Sequence, residues 1–222
     1  MSQLSLSNEQ IRIIGSLIEK SITTPDLYPL SLKSLQNACN QKSNREPITE
    51  FTLTEVESIL NTLIGNNFVI DTSSFNSKTP KYQHRFCNTE FSDIQLKDSE
   101  LAVICLLMLR GPQTSGELRS RSSRLYPFKD LSEVEETLLS LQHISGGPYI
   151  TALPKVPGKR EIRYIQLFGK ADTSITHHSS LIVTHEPRSE IDALKQKITE
   201  LENQIYKLQE QLENQHSQQP YK

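Results

Sequence analysis

Leu53-Thr54-Glu55-Val56-Glu57-Ser58-Ile59-Leu60-Asn61-Thr62-Leu63 returns later in the chain as Leu131-Ser132-Glu133-Val134-Glu135-Glu136-Thr137-Leu138-Leu139-Ser140-Leu141. Six of the eleven positions are identical, and Thr54/Ser132 and Thr62/Ser140 exchange one hydroxyl for another. Each copy reads as a helix that opens with a capping box. The hydroxyl of Thr54 or Ser132 accepts an early backbone N–H, and Glu57 or Glu135, three residues on, reaches back. Val56, Ile59, Leu60 and Leu63 then share one face at helical spacing, as do Val134, Leu138 and Leu141. A repeated helix with so specific a beginning predicts a repeated domain.

The flanks of the two copies repeat as well. Ser7 with Gln10 begins a helix whose stripe is Ile11, Ile14, Leu17 and Ile18. Thr24-Pro25-Asp26 and Tyr28-Pro29 break it, and a short helix follows from Ser31 to Cys39. A polar connection, Asn40 to Phe51, leads into the quoted stretch. Beyond Gly65-Asn66-Asn67 lie two predicted strands, Phe68-Val69-Ile70 and Lys81 to Phe86. From Leu96 the order starts again: a helix to Leu109, a short helix capped by Thr114 with Glu117, the second copy, then strands over Tyr149–Leu153 and Glu161–Phe168. Helix, helix, helix, strand, loop, strand is the order of a winged helix, a helix-turn-helix carrying a β-hairpin wing. The fold class expected is therefore mainly α with small β-hairpin wings (α+β), as two tandem winged-helix domains over 1–95 and 96–170.

The C-terminal part has a different character. Residues 171–188 are rich in Ser, Thr and His and read as a flexible linker. Ile191, Leu194, Ile198, Leu201, Ile205, Leu208 and Leu212 then alternate spacings of 3 and 4, a heptad seam. Ile at the a positions with Leu at d favours two parallel strands, so 189–214 predicts a homodimeric coiled coil. With Ile191 at a, Glu190 faces Lys195 and Lys197 faces Glu202 of the second chain, opposite charges both times. Residues 215–222 read as a disordered tail.

Composition bounds the function. The chain of 222 residues carries a net charge of −2, distributed as −2 over 1–96, +3 over 97–170 and −3 over 171–222. Only the middle third leans towards nucleic acid. No apolar run is long enough to span a bilayer, and no basic region followed by an apolar one marks a signal peptide. Cys39, Cys87 and Cys105 are odd in number and far apart, which points to reduced thiols in the cytoplasm. No phosphate loop, paired-carboxylate frame or nucleophile motif is present, so no enzyme, cofactor or metal site is expected.

With these residues placed, the chain resembles the YceH-like family, a bacterial family of unknown function. Tyr28–Ser31, Cys39–Pro47, Arg85–Asn88, Arg110-Gly111 with Glu117–Arg121, and Pro157–Glu161 carry the resemblance, which covers about Leu4 to Phe168. It implies two winged-helix domains and brings no established activity.

Two sets of residues are candidates for contact with DNA or a protein partner. One is the donor-rich connection Asn40, Gln41, Lys42, Asn44 and Arg45. The other is Arg119 and Arg121 with the second wing, Lys155, Lys159, Arg160 and Arg163. The repeated helices themselves contain Glu55, Glu57, Glu133, Glu135 and Glu136 and no Lys or Arg, which argues against reading bases in the usual way. A DNA-associated or regulatory role through basic wings and the polar loop is the expectation from the commoner use of the fold. An interaction scaffold with acidic faces is the alternative.

Overall fold

Ser7 opens the first helix, α1 (Asn8–Thr23). Its hydroxyl accepts the Gln10 N–H at 3.3 Å while the Gln10 side chain accepts the Ser7 N–H at 2.9 Å, the predicted capping box. The structure, a computed structural model, describes residues 5–72, 79–90, 92–155, 158 and 161–169. The expected linker (171–188), the coiled-coil seam from Ile191 to Leu212 and the tail (215–222) lie outside these residues, as do Lys159 and Arg160. All described residues fall in one compact unit, Met1–Asp172.

Past α1, a 3-10 turn at Pro25–Leu27 leads to β1 (Leu30–Ser31), α2 (Leu32–Cys39), α3 (Leu53–Gly65), β2 (Val69–Asp71) and β3 (Lys81–His84). The same order recurs as α4 (Asp98–Arg110), β4 (Gln113–Thr114), α5 (Ser115–Arg121), α6 (Leu131–His143), β5 (Ile150–Ala152) and β6 (Arg163–Gln166). Each half closes a three-stranded antiparallel sheet, ordered β1-β3-β2 and β4-β6-β5. The registers correspond: Tyr82 faces Leu30 and Asp71, and Tyr164 faces Gln113 and Ala152. The described residues are thus α+β, with six α-helices and two small sheets. The strands β1 and β4 have two residues each, too short for any alternation to announce them.

The caps of the quoted helices lie two residues earlier than predicted. Thr52, not Thr54, caps α3: its hydroxyl accepts the Glu55 N–H at 3.2 Å, and Glu55 accepts the Thr52 N–H at 2.7 Å. In α6 the cap is Asp130, which accepts the Glu133 N–H at 2.9 Å, while Glu133 accepts the Lys129 N–H at 2.8 Å and the Tyr126 hydroxyl at 2.7 Å. Both sequences offer two overlapping frames with an acceptor followed three residues later by glutamate. The earlier frame adds two residues of helix and wins. The predicted capping roles of Glu57 and Glu135 are therefore corrected, and both side chains stand exposed.

One hydrophobic cluster runs through both halves. Its centre is the packing of α1 on α4. The sequence stripe of α1 understates its burial, since every residue from Ile11 to Glu19 is buried, and α4 is buried from Glu100 to Leu109. Gly15 permits the close approach: a Cβ there would lie 3.0 Å from Met108 Cβ and 3.1 Å from Leu109 Cδ2. Beside it the Cys105 thiol donates to the Gly15 carbonyl at 3.6 Å. No helix among the described residues is long and apolar enough to cross a membrane.

Candidate functional site

The polar loop after α2 turns Asn40 and Arg45 inward. Asn40, at the end of α2, donates to the Phe51 carbonyl at 2.8 Å and accepts the Phe51 N–H at 2.9 Å. Gln41 accepts from Lys20 at 3.4 Å. Asn44, with φ of 59°, accepts from Arg110. Arg45 is buried. Its Nε donates to the Ala38 carbonyl at 3.0 Å, and its two terminal nitrogens reach the Glu19 carboxylate at 3.0 and 2.6 Å. The next residue, Glu46, donates its backbone N–H to the Leu109 carbonyl at 2.9 Å, and Arg12 donates to the Pro47 carbonyl at 2.6 Å. This loop therefore ties the first half to α4. Of its predicted contact residues, Lys42 is the cation left exposed.

The second basic set divides. Glu117 caps α5 with Thr114 and also pairs with Arg121 at 3.3 Å and Arg163 at 3.4 Å. Arg121 donates to Gln113 at 3.0 Å and Arg163 to the Pro112 carbonyl at 2.7 Å, so both hold β4 and α5 together. Arg119 donates to the Lys129 carbonyl at 3.0 Å. Arg124, Lys129 and Lys155 are exposed, and their side chains make no hydrogen bond or ion pair among the described residues.

What remains on the surface of α3 and α6 is acidic. Glu57 on α3 and Glu135 and Glu136 on α6 are exposed and make no hydrogen bond or salt bridge among the described residues. Thr54 and Asn61 lie one turn to either side of Glu57, while Ser132 and Leu139 lie one turn to either side of the α6 pair. Leu139, in the place of Asn61, is 57% exposed. The sequence carried this signal as an exchange of Asn61 for Leu139 off the apolar stripe of the repeated helix. Residues 46–77 contain Glu46, Glu50, Glu55, Glu57 and Asp71 and no Lys or Arg; residues 130–154 contain Asp130, Glu133, Glu135 and Glu136 and again no Lys or Arg.

Hydrogen bonding shifts the two capping carboxylates downward. Hydrogen bonds from the Thr52 backbone and hydroxyl hold the Glu55 carboxyl below its ordinary range. The Tyr126 hydroxyl, then the Lys129 N–H, do the same for Glu133. Elsewhere, burial pushes the thiols up, Cys39 to about 11 and Cys87 to about 12. Cys105 is also shifted upward by burial. No group of His, Cys, Asp and Glu among the described residues is placed to hold a metal ion. The exposed charged side chains of α3 and α6 that make no hydrogen bond or salt bridge among the described residues are carboxylates.

The described residues form an α+β protein built from one helix-and-sheet unit used twice. Residues 6–159 match the family described as "Protein of unknown function, DUF480". A UPF0502 protein of Shewanella pealeana is 49% identical over 213 residues, 95% of this chain and 98% of the relative. A UPF0502 protein of Marinomonas sp. is 55% identical over 168 residues, 76% and 77% of the two chains, and one of Pectobacterium atrosepticum is 45% identical over 203 residues, 90% and 96%. The chain belongs to the DUF480/UPF0502 family of bacterial proteins, in agreement with the YceH-like resemblance of its sequence.

Proposed function

We propose that the chain is a non-enzymatic protein-interaction module of two winged-helix domains, 1–95 and 96–170, which docks a basic partner on the outer faces of α3 and α6. The winged-helix reading draws on the order helix, strand, helix, helix, strand, strand, used twice with the same sheet topology. One observation carries the partner reading. The third helix is the element that would enter a DNA groove, and in both halves it displays unpaired carboxylates and no cation. Arg45, Arg121 and Arg163, which could have supplied phosphate contacts, are engaged within the protein. A parallel coiled coil over 189–214 doubles the number of faces per assembly. Three buried thiols suit a reducing cytoplasm.

A DNA-associated regulatory role is the second reading. The exposed Arg124, Lys129 and Lys155 favour it, with Lys159 and Arg160 close to Lys155 in sequence. The test is affinity purification of the full-length protein from nuclease-treated native cells, wild type against the combined Glu57→Lys, Glu135→Lys and Glu136→Lys variant. The expected result is a specific protein recovered with wild type and lost with the folded variant. Unchanged recovery sinks the acidic-face reading. Salt-steep duplex binding, weakened by changing Lys155, Lys159 and Arg160 to Ala, puts the DNA reading in its place.

A further inference from the structure

Arg12 is a buried charge of α1 without a counter-ion. The residue is 4% exposed. Its Nη2 donates to the Pro47 carbonyl at 2.6 Å, whereas Nη1 is sealed from solvent and has no hydrogen-bond partner among the described residues. No carboxylate pairs with it among those residues. Glu19, about two turns along α1, is already taken by Arg45 at 2.6 Å and Lys20 at 3.2 Å. The buried charged groups of α1 and the loop after α2 are thus Arg12, Arg45 and Glu19, two cations to one anion. Burial, then the charge of Arg45, pushes the Arg12 guanidinium down from its ordinary value, yet a guanidinium keeps its proton in a protein. Ser16 follows Arg12 by one turn on the same face and is fully buried, and its hydroxyl has no partner of hydrogen-bonding geometry among the described residues. The Cys39 thiol is close enough for Ser16 to oppose the upward push of burial on it, ahead of the charges of Arg45 and Arg12.

We propose that Arg12 Nη1 and the Ser16 hydroxyl hold a small inorganic anion of the halide class, sealed between α1 and the loop from Cys39 to Pro47. A buried guanidinium left unpaired is strongly destabilising. An anion cancels that charge, where a water molecule accepting from the same N–H groups leaves it standing. Guanidinium, hydroxyl and thiol, the groups gathered here, all donate, which suits an ion that only accepts. Nη1 and the Ser16 oxygen have negligible access to solvent, so a ligand with a tail reaching the surface is excluded and the anion is small. The site bears on the junction of the two halves. Arg12 holds the loop at Pro47, and the preceding residue, Glu46, donates its N–H to the Leu109 carbonyl of α4 at 2.9 Å. Anion binding therefore stabilises the seam at which the loop meets α4, and halide concentration sets how firmly that seam is closed.

The test unfolds the full-length protein thermally at constant ionic strength, with sodium chloride replacing sodium gluconate stepwise; gluconate is too large for a sealed site. The expected result is a midpoint that rises with chloride. Once chloride exceeds its Kd, each tenfold rise multiplies the folded-to-unfolded ratio by about ten. Ser16→Ala moves this dependence to higher chloride, and Arg12→Met abolishes it. Crystals of the wild-type protein grown in sodium bromide locate the ion without relying on either variant to fold: an anomalous difference peak at the bromine edge is expected within hydrogen-bonding reach of Arg12 Nη1. A water molecule at Nη1 in those crystals, a midpoint indifferent to chloride, or a chloride dependence that survives both substitutions overturns the proposal.

Discussion

The Arg45 guanidinium closes on the Glu19 carboxylate with two nitrogens, at 3.0 and 2.6 Å, and its side chain has no exposed surface. Burial alone would raise the Glu19 carboxyl; hydrogen bonding and charge from Arg45, with Lys20, bring it below its ordinary value. Two such groups justify their desolvation only as a pair, so the geometry makes Asn40–Pro47 an internal strap with a buried ionic anchor.

Removing one member of that pair is the harshest change. Arg45→Met leaves a buried carboxylate with Lys20 alone beside it, and should destabilise the fold by about 3–5 kcal/mol in urea unfolding. Glu19→Gln leaves the buried Arg45 guanidinium without its counter-ion and should cost a similar amount, about 3–5 kcal/mol. The sign with pH follows from the lowered Glu19 carboxyl: its contribution is present above the unfolded pKa and disappears as pH falls through the folded one. Equal unfolding midpoints for wild type and Arg45→Met would show that the strap carries no stability.

Gly15 sits where α1 and α4 come closest. Alanine would gain about 1 kcal/mol of helix propensity while its Cβ pressed on Met108 Cβ at 3.0 Å, which hangs directly from the backbone. Valine adds two further methyl groups to the same gap. Gly15→Val should therefore destabilise by about 1–3 kcal/mol, read as a lowered thermal midpoint. A midpoint equal to or above that of wild type would mean that the helices part without loss.

The two capping frames give a paired comparison. Thr52→Ala removes the acceptor for the Glu55 N–H and should cost about 1 kcal/mol, whereas Thr54→Ala, in the other frame, should fall within about 0.5 kcal/mol of wild type. The opposite ranking in chemical denaturation would return the cap to Thr54.

These positions also mark how far the sequence could be read. Repetition of LTEVE as LSEVE located both helices, because a duplicated pattern needs no knowledge of what surrounds it. The choice between Thr52 and Thr54 was invisible, since both satisfy the same local rule. β1 and β4 depend on pairing with β3 and β6, which are distant in sequence. Arg45 looked like a surface donor because its partner, Glu19, lies 26 residues away on another helix, and local reading has no access to such a pair. The candidate site was legible in sign but not in place: the missing cations of the third helices could be counted, while the freedom of Glu57 and Glu135 emerged only with the true caps.

His84 offers a pH test inside the first sheet. Its backbone N–H donates to the Tyr28 hydroxyl at 2.8 Å, its ring lies 6.4 Å from that of Tyr28, and its Nδ1 is buried with no partner among the described residues. Burial pushes the imidazole down from 6.5 to about 4, and pushes the facing Tyr28 hydroxyl up to about 12, so Tyr28 stays neutral throughout the acid range. Between the two histidine values the unfolded chain binds a proton that the folded chain refuses. Stability contributed by neutral His84 is therefore complete above the unfolded pKa and falls as pH drops towards the folded one, by on the order of 3 kcal/mol in total. His84→Phe removes the titration and keeps a ring of similar shape. Urea unfolding at about pH 7.5, 5.5 and 4.5 should show wild type losing stability faster than the variant on acidification. The carboxylates common to both proteins cancel in that difference. Parallel profiles for the two proteins across this window would show that His84 titrates as it does in water.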